Sequence, residues 1–232
     1  MHLPAKRLRT TIVVASLALL VVGGVIAVTL RSGREPRYDG KPLSWWCKQW
    51  CAGHTKAEFA IRQIGTNAIP WLLADLDSQP SALKDRVNRY LFNRGCITLF
   101  LDRCDRGAAG FYALGDLGKA AIPQLESHLE NDSDGRYAIV LANIGPLAVP
   151  TIRSAYTNLS ATVGANLSRA IGIAASNGRL KGNDLSVFVP LISAQLTSTN
   201  IAIVRKASNA LERISFAISN PTNPRHPKDY TY

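Results

Sequence analysis

The residue types in this 232-residue chain that could do chemistry are four cysteines, four histidines and a tryptophan cluster at Trp45, Trp46 and Trp50. Cys47 and Cys51 are four apart, which places both thiols on one face of a helix. With Cys96 and Cys104 they write C-x3-C and C-x7-C, not a standard pair of zinc spacings. Three readings stay open: a four-cysteine zinc site, a Cys96–Cys104 disulfide closing an irregular loop in an oxidising compartment, and reduced, partly buried thiols. His2, His54, His128 and His226 never stand at H-x-x-x-H spacing, so no zincin-type site is written here. His128 falls on a polar helix face and reads as a surface residue. His54 follows Gly53 in a loop, where solvation or capping is its role. "GDLGKA" (115–120) contains Gly-Lys, but Ala120 stands where a P-loop needs Ser or Thr, so it reads as an inter-helix turn. "ENDSDG" (130–135) imitates the start of a calcium loop, but the twelfth position is Leu141 where a bidentate Glu is required. It reads as a polar loop with Ser133 or Asp134 capping the next helix. No G-x-S-x-G appears. The sequence thus names no catalytic residue, no metal ligand and no cofactor.

Two features point to recognition instead. Trp46 and Trp50 are four apart and line one helix face, either closing the apolar end of the fold or anchoring a partner. Lys84, Arg86, Arg89, Arg94, Arg103 and Arg106 crowd one stretch, interrupted by Asp85, Asp102 and Asp105. The interruptions argue against a nucleic-acid stripe. Arg86, Arg89 and Arg94 are the candidates for a protein or peptide partner.

These residues need elements to hold them, and the chain writes those as a repeat. "IGTNAIP" (64–70), "LGKAAIP" (117–123) and "IGPLAVP" (144–150) share one frame: apolar residue, Gly, three residues, Ile or Val, Pro. The glycines are Gly65, Gly118 and Gly145, and the prolines Pro70, Pro123 and Pro150. Gly in left-handed conformation ends one helix. Pro opens the first turn of the next, where a missing N–H costs little. Apolar stretches flank each copy, so each is helix, tight turn, helix, and neither helix can bury its apolar face alone. A looser copy carries Pro190, and "AIVRKASNALERISFAI" (202–218) reads as a terminal capping helix.

"AIRQIGTNAIPWLLADL" and "AIVLANIGPLAVPTIRSAY" resemble HEAT-type repeats, in particular the short bacterial HEAT-like repeats related to those of phycobilin lyases. The resemblance covers about residues 56–216. It implies an all-α fold, a right-handed α-solenoid over residues 43–218, and a protein-binding surface; it implies no catalytic residue. The departure is an insertion at 78–104, which stretches the Pro-to-Pro interval to 53 residues against 27 for the next. A helix near 82–93 and an irregular piece near 95–104 are expected there.

The N-terminus sets location. Residues 1–9 carry Lys6, Arg7 and Arg9, and residues 10–30 carry no charge. Twenty-one residues at about 1.5 Å each span roughly the 30 Å hydrocarbon layer. The segment reads as a transmembrane signal anchor, with cleavage near Val25-Ile26-Ala27 as the alternative. Residues 31–42 read as a linker and 219–232 as a disordered tail. Of the formal charge of +11, residues 1–41 hold seven Lys/Arg against two acids, and the remainder is only mildly basic. The expectation is a single-pass protein whose domain lies outside the cytoplasm, in a bacterium the periplasm: a membrane-anchored scaffold for protein–protein interaction. The alternative is a lyase- or hydrolase-like enzyme with a site on the concave face.

Overall fold

The structure is a computed structural model that describes residues 35–79, Arg86 and residues 102–221. Those residues are mostly helical, as the all-α reading expects. The segments 1–34 and 222–232, with the anchor and most of the tail, lie outside the described residues. So do Arg89, Arg94 and Cys96.

Within the stretch 31–42 expected as a linker, residues 37–42 form a hairpin. Arg37–Tyr38 (β1) and Lys41–Pro42 (β2) pair antiparallel. Asp39 (φ 49°) and Gly40 (φ 72°) both have positive φ, the hand that matches hairpin twist and that Asp-Gly favours. The Leu43 N–H donates to the Pro36 carbonyl at 3.0 Å, tying the hairpin to the first helix.

The helices follow as α1 (Leu43–Cys51), α2 (Thr55–Ile64), α3 (Ile69–Leu76), α4 (Arg103–Leu114), α5 (Ile122–Ser127), α6 (Arg136–Ile144), α7 (Val149–Asn158), α8 (Ala161–Ser176), α9 (Asn183–Ser186), α10 (Val189–Ala194) and α11 (Ile201–Ser219). The pattern of α2 explains its seat. Ala57, Ala60, Ile61 and Ile64 are buried, the i, i+3, i+4, i+7 stripe of a one-faced helix. Ile69, Leu72, Leu73 and Leu76 repeat it in α3. In chain order α2 packs on α4, α4 on α6, α6 on α8, and α8 on α11. In α6, Ala138 through Ile144 are all buried.

Small residues set how closely these helices approach. A Cβ at Gly107 would lie 2.7 Å from the Leu76 amide nitrogen and 2.8 Å from the Leu72 carbonyl oxygen, so α4 meets the backbone of α3. A Cβ at Gly172 would lie 2.9 Å from Ala210 Cα, which gives α8 and α11 the same intimacy.

The repeated turns take one form with one exception. Gly65 and Gly145 have φ +63° and +93° with ψ −143° and −149°. That is positive φ, but with ψ far from the left-handed helix, in a region essentially reserved for glycine. The expected left-handed cap is thus replaced by a more extended one. In the second copy the helix-ending glycine is Gly115 (φ +58°, ψ −127°), not Gly118. Gly118 sits inside the 3-10 turn Gly115–Ala121, buried against Phe111 and Ile144. The sequence frame aligned on Gly118 because the longer turn moved the true cap three residues upstream. Pro70, Pro123, Pro150 and Pro190 each stand in the first turn of their helices α3, α5, α7 and α10.

The 78–104 insertion also ends earlier than expected. α4 begins at Arg103, opened by a capping box in which Asp105 Oδ2 accepts the Asp102 N–H at 3.2 Å. No single helix among the described residues is long and apolar enough to cross a membrane.

Candidate interaction surfaces

The turns gather on one edge. Residues Gly65–Ala68, Gly115–Ala121 and Pro146–Ala148 lie next to one another in that order. Helix ends present unpaired carbonyls there, and two arginines answer them. Arg62 Nη1 donates to the Leu114 carbonyl at 3.0 Å, while its Nη2 reaches Asp116 Oδ1 at 2.8 Å. Arg179 Nη2 donates to the Tyr112 carbonyl at 2.6 Å. The same guanidinium lies 4.5 Å from the centre of the Tyr112 ring, and Trp50 packs on that ring at 4.8 Å. Trp50, Tyr112, Arg179, Arg62 and Asp116 thus form a ridge over the turns. The half-buried Arg62 guanidinium beside Asp116 holds that carboxyl below its ordinary range, although Asp116 is well exposed.

A polar layer sits at the start of α6. The loop 131–135 is capped by Asp132, not by Ser133: Asp132 Oδ2 accepts the Ala138 N–H at 2.9 Å. Asp134 accepts from the Arg136 N–H at 3.2 Å and pairs with its side chain. Asp132 is only 4% exposed, and its Oδ1 has no hydrogen-bond partner among the described residues. Burial, and then the charge of Asp134, push the Asp132 carboxyl up to about 6. Asn166 donates to the Asp132 carbonyl at 2.6 Å and accepts from Lys206 Nζ at 2.7 Å. This chain of bonds ties the loop to α8 and α11. It is a tie between elements, with Asp132 Oδ1 its one unfilled acceptor among the described residues.

A third surface faces the start of the fold. Tyr38 of the hairpin lies between Trp46 (6.1 Å) and Phe59 (6.0 Å). Trp45 meets Trp46 edge-on at 4.6 Å, and Lys41 Nζ stands 5.6 Å from the Trp45 ring centre. Trp46 Nε1 donates to the Tyr38 carbonyl at 3.0 Å, which pins the hairpin. Trp45 and Phe59 remain 37% and 57% exposed.

Trp46 and Trp50 share a helix face but serve these two different clusters. Arg86 is exposed. His128 is half-buried, stacks on Tyr137 at 4.9 Å and bonds the Gln124 carbonyl through Nδ1 at 2.8 Å. Cys51 and Cys104 are free thiols, and Cys47 is buried. Burial and the nearby Asp105 charge push Cys51 up to about 11, so it is a poor nucleophile at neutral pH. Among the described residues no three His, Cys, Asp or Glu side chains converge as metal ligands. A depression of about 440 Å³ is lined by Val149, Pro150, Arg153, Ser154, Thr157 and Val187, with Arg153 the only titratable group of that lining.

No family model, curated protein or solved structure matches the chain. The surfaces must therefore be read from their own chemistry. Sequence reasoning passed over Tyr38, Tyr112 and Arg179. Asp39-Gly40 was the one legible signal for the first, since it marks a hairpin that brings Tyr38 back onto α1. Tyr112 and Arg179 are 67 residues apart and no local pattern joins them.

Proposed function

We propose that the chain is a scaffold of HEAT-like repeats, a right-handed α-solenoid held at a membrane by residues 10–30, which presents a surface to a protein or peptide partner. The observation that supports this reading most is the recurring turn. A positive-φ glycine, a 3-10 turn and an Ile-Pro or Val-Pro helix start occur three times, and the helices they join pack in chain order. Units of that kind bury their apolar faces on each other and leave an edge of turns and loops free for recognition. The Trp50–Tyr112–Arg179 ridge and the exposed Arg86 are the surfaces in this reading. Ridge aromatics and arginines are the side chains that most often dominate interfaces.

The test uses the full chain in its own cells. A photocrosslinking residue is placed at Asp116, at Arg86, and at Glu130 as a control, all three exposed. One protein captured from Asp116 or Arg86 and not from Glu130 is the expected result. That protein should then bind the purified chain and lose affinity for a folded Arg86→Ser, Arg89→Ser, Arg94→Ser or Asp116→Ser variant. Equal capture from all three positions, or turnover of a small molecule with no captured protein, counts against the scaffold.

A further inference from the structure

We infer that the face built from Tyr38, Trp45, Trp46 and Phe59 seats the folded unit on the lipid interface of the same bilayer that residues 10–30 enter. The inference rests on the membrane reading of that segment and adds a second, independent contact. Three observations converge. The first is composition. Trp and Tyr combine an apolar ring with a polar edge, the property that collects them at the headgroup layer. Here Trp45 and Phe59 are the exposed members, and Tyr38 and Trp46 bind them into one patch.

The second is reach. Seven residues, and so eight residue-to-residue steps, separate Leu30 from Tyr38. At no more than about 3.5 Å each they extend to about 28 Å. The headgroup layer adds only about 5–8 Å beyond the hydrocarbon. The tether keeps the hairpin within about 20 Å of the headgroup layer, and Tyr38 of that hairpin joins the ring patch to which Trp45 of α1 and Phe59 of α2 belong.

The third is charge. Arg37 and Lys41, both exposed, flank the rings, and Lys48 and Lys56 follow on α1 and α2. Glu35, Asp39 and Glu58 lie on the same elements. Arg62, a fifth cation on α2, is paired with Asp116, so the remaining four cations against three acids are nearly balanced. Ring insertion therefore carries the contact, with lysine stems reaching to phosphates at its rim. A contact of this kind survives salt, whereas one made by charge alone is screened.

The chain itself supplies the probe. Its four tryptophans are Trp45, Trp46, Trp50 and Trp71, and residues 10–30 contain none. Quenching by lipid therefore reports the folded unit and not the anchor. Full-length protein is reconstituted into vesicles of phosphatidylethanolamine and phosphatidylglycerol, with and without bromine on the acyl chains near the headgroup. If Trp45 alone, or Trp45 with Trp46, enters the interface, brominated lipid removes roughly a quarter to a half of the emission. The loss should persist in high salt. Phe59→Ser leaves every emitter in place and should shrink the loss at least twofold with an unchanged thermal melt. Trp45→Phe should remove most of it. Carbonate extraction is run on the same vesicles. Protein retained in the pellet with unquenched tryptophans overturns this seating and leaves the anchor standing. Protein released by carbonate overturns both. Unquenched tryptophans joined to loss of a crosslinked protein in Phe59→Ser overturn it in favour of a protein partner.

Discussion

Gly115 and Gly118 are three residues apart and tolerate side chains very differently. Gly115 has φ +58°, and a Cβ there would stand 3.0 Å from an Arg179 guanidinium nitrogen. Gly118 has an ordinary φ, and its Cβ would find van der Waals contact with Ile144 at 3.4 Å and Phe111 at 3.5 Å. Gly115→Ala should therefore cost about 1–3 kcal/mol in backbone strain. Gly118→Ala should be neutral, or stabilising by up to about 1 kcal/mol through the unfolded chain. Urea midpoints of the two variants decide it; the reverse order would return the cap to Gly118. Asp132 provides the second residue-scale test. Its carboxyl lies raised at about 6 in the folded state, chiefly from burial. A carboxyl raised on folding holds its proton longer when folded, so stability is greatest at low pH and falls as pH climbs from about 4 toward 6. Asp132→Asn keeps an oxygen for the Ala138 N–H and cannot ionise. Its stability relative to wild type should rise by on the order of 1–3 kcal/mol between pH 4 and pH 7. Asp105 is also raised by burial and Asp134 is lowered by Arg136, so some slope remains in the variant. Parallel stability curves for variant and wild type across that window would show that Asp132 does not titrate there.

At the scale of elements, the decisive contacts are between small residues. Gly172 of α8 lies under Ala210 of α11, and α11 buries only Ala207, Ala210 and Ile214. Gly172→Val should cost about 1–3 kcal/mol by overpacking and expose residues 201–219 to protease first. Ala210→Gly should return part of that loss in the double variant, because the two positions share one contact. Additive losses would place the damage elsewhere. The legibility of the elements divides along the same line. α2 and α3 could be read directly, because Ile61, Ile64, Leu72, Leu73 and Leu76 fall at helical spacing and burial followed spacing. The start of α4 could also have been read, since Asp102-x-x-Asp105 is a capping box, but the stretch near 95–104 departs from the repeat frame and reads as irregular. The hairpin was hidden by its Gly and Pro neighbours. Gly107 and Gly172 carry no such signal. Locally they are poor helix formers, and only the partner backbone explains them. The Tyr112–Arg179 contact is of the same kind, set by how distant helices meet.

For the whole molecule the question is how far packing in chain order divides its stability. α8 is buried from Val163 to Ser176 except at Arg169, and α6 from Ala138 to Ile144. The end helices are much less enclosed: α1 buries Leu43 and Cys47, and α11 three residues. Among the described residues α8 packs on both α6 and α11, whereas α11 packs on α8, α10 and the turn Gln195–Thr197 between α10 and itself. If stability is a sum of unit and neighbour terms, opening α11 forfeits a single interface and leaves α6 and α8 covered. Hydrogen exchange should then be graded. Amides of α6 and the second half of α8 exchange only through global opening, and those of α11 open at a free energy lower by several kcal/mol, on the scale that separates local from global opening. Gly172→Val should lower the α11 value further and leave α6 nearly unchanged. A single exchange free energy from α1 to α11 would mean that the chain opens as one cooperative body, and the nearest-neighbour account on which the repeat reading depends would fail with it.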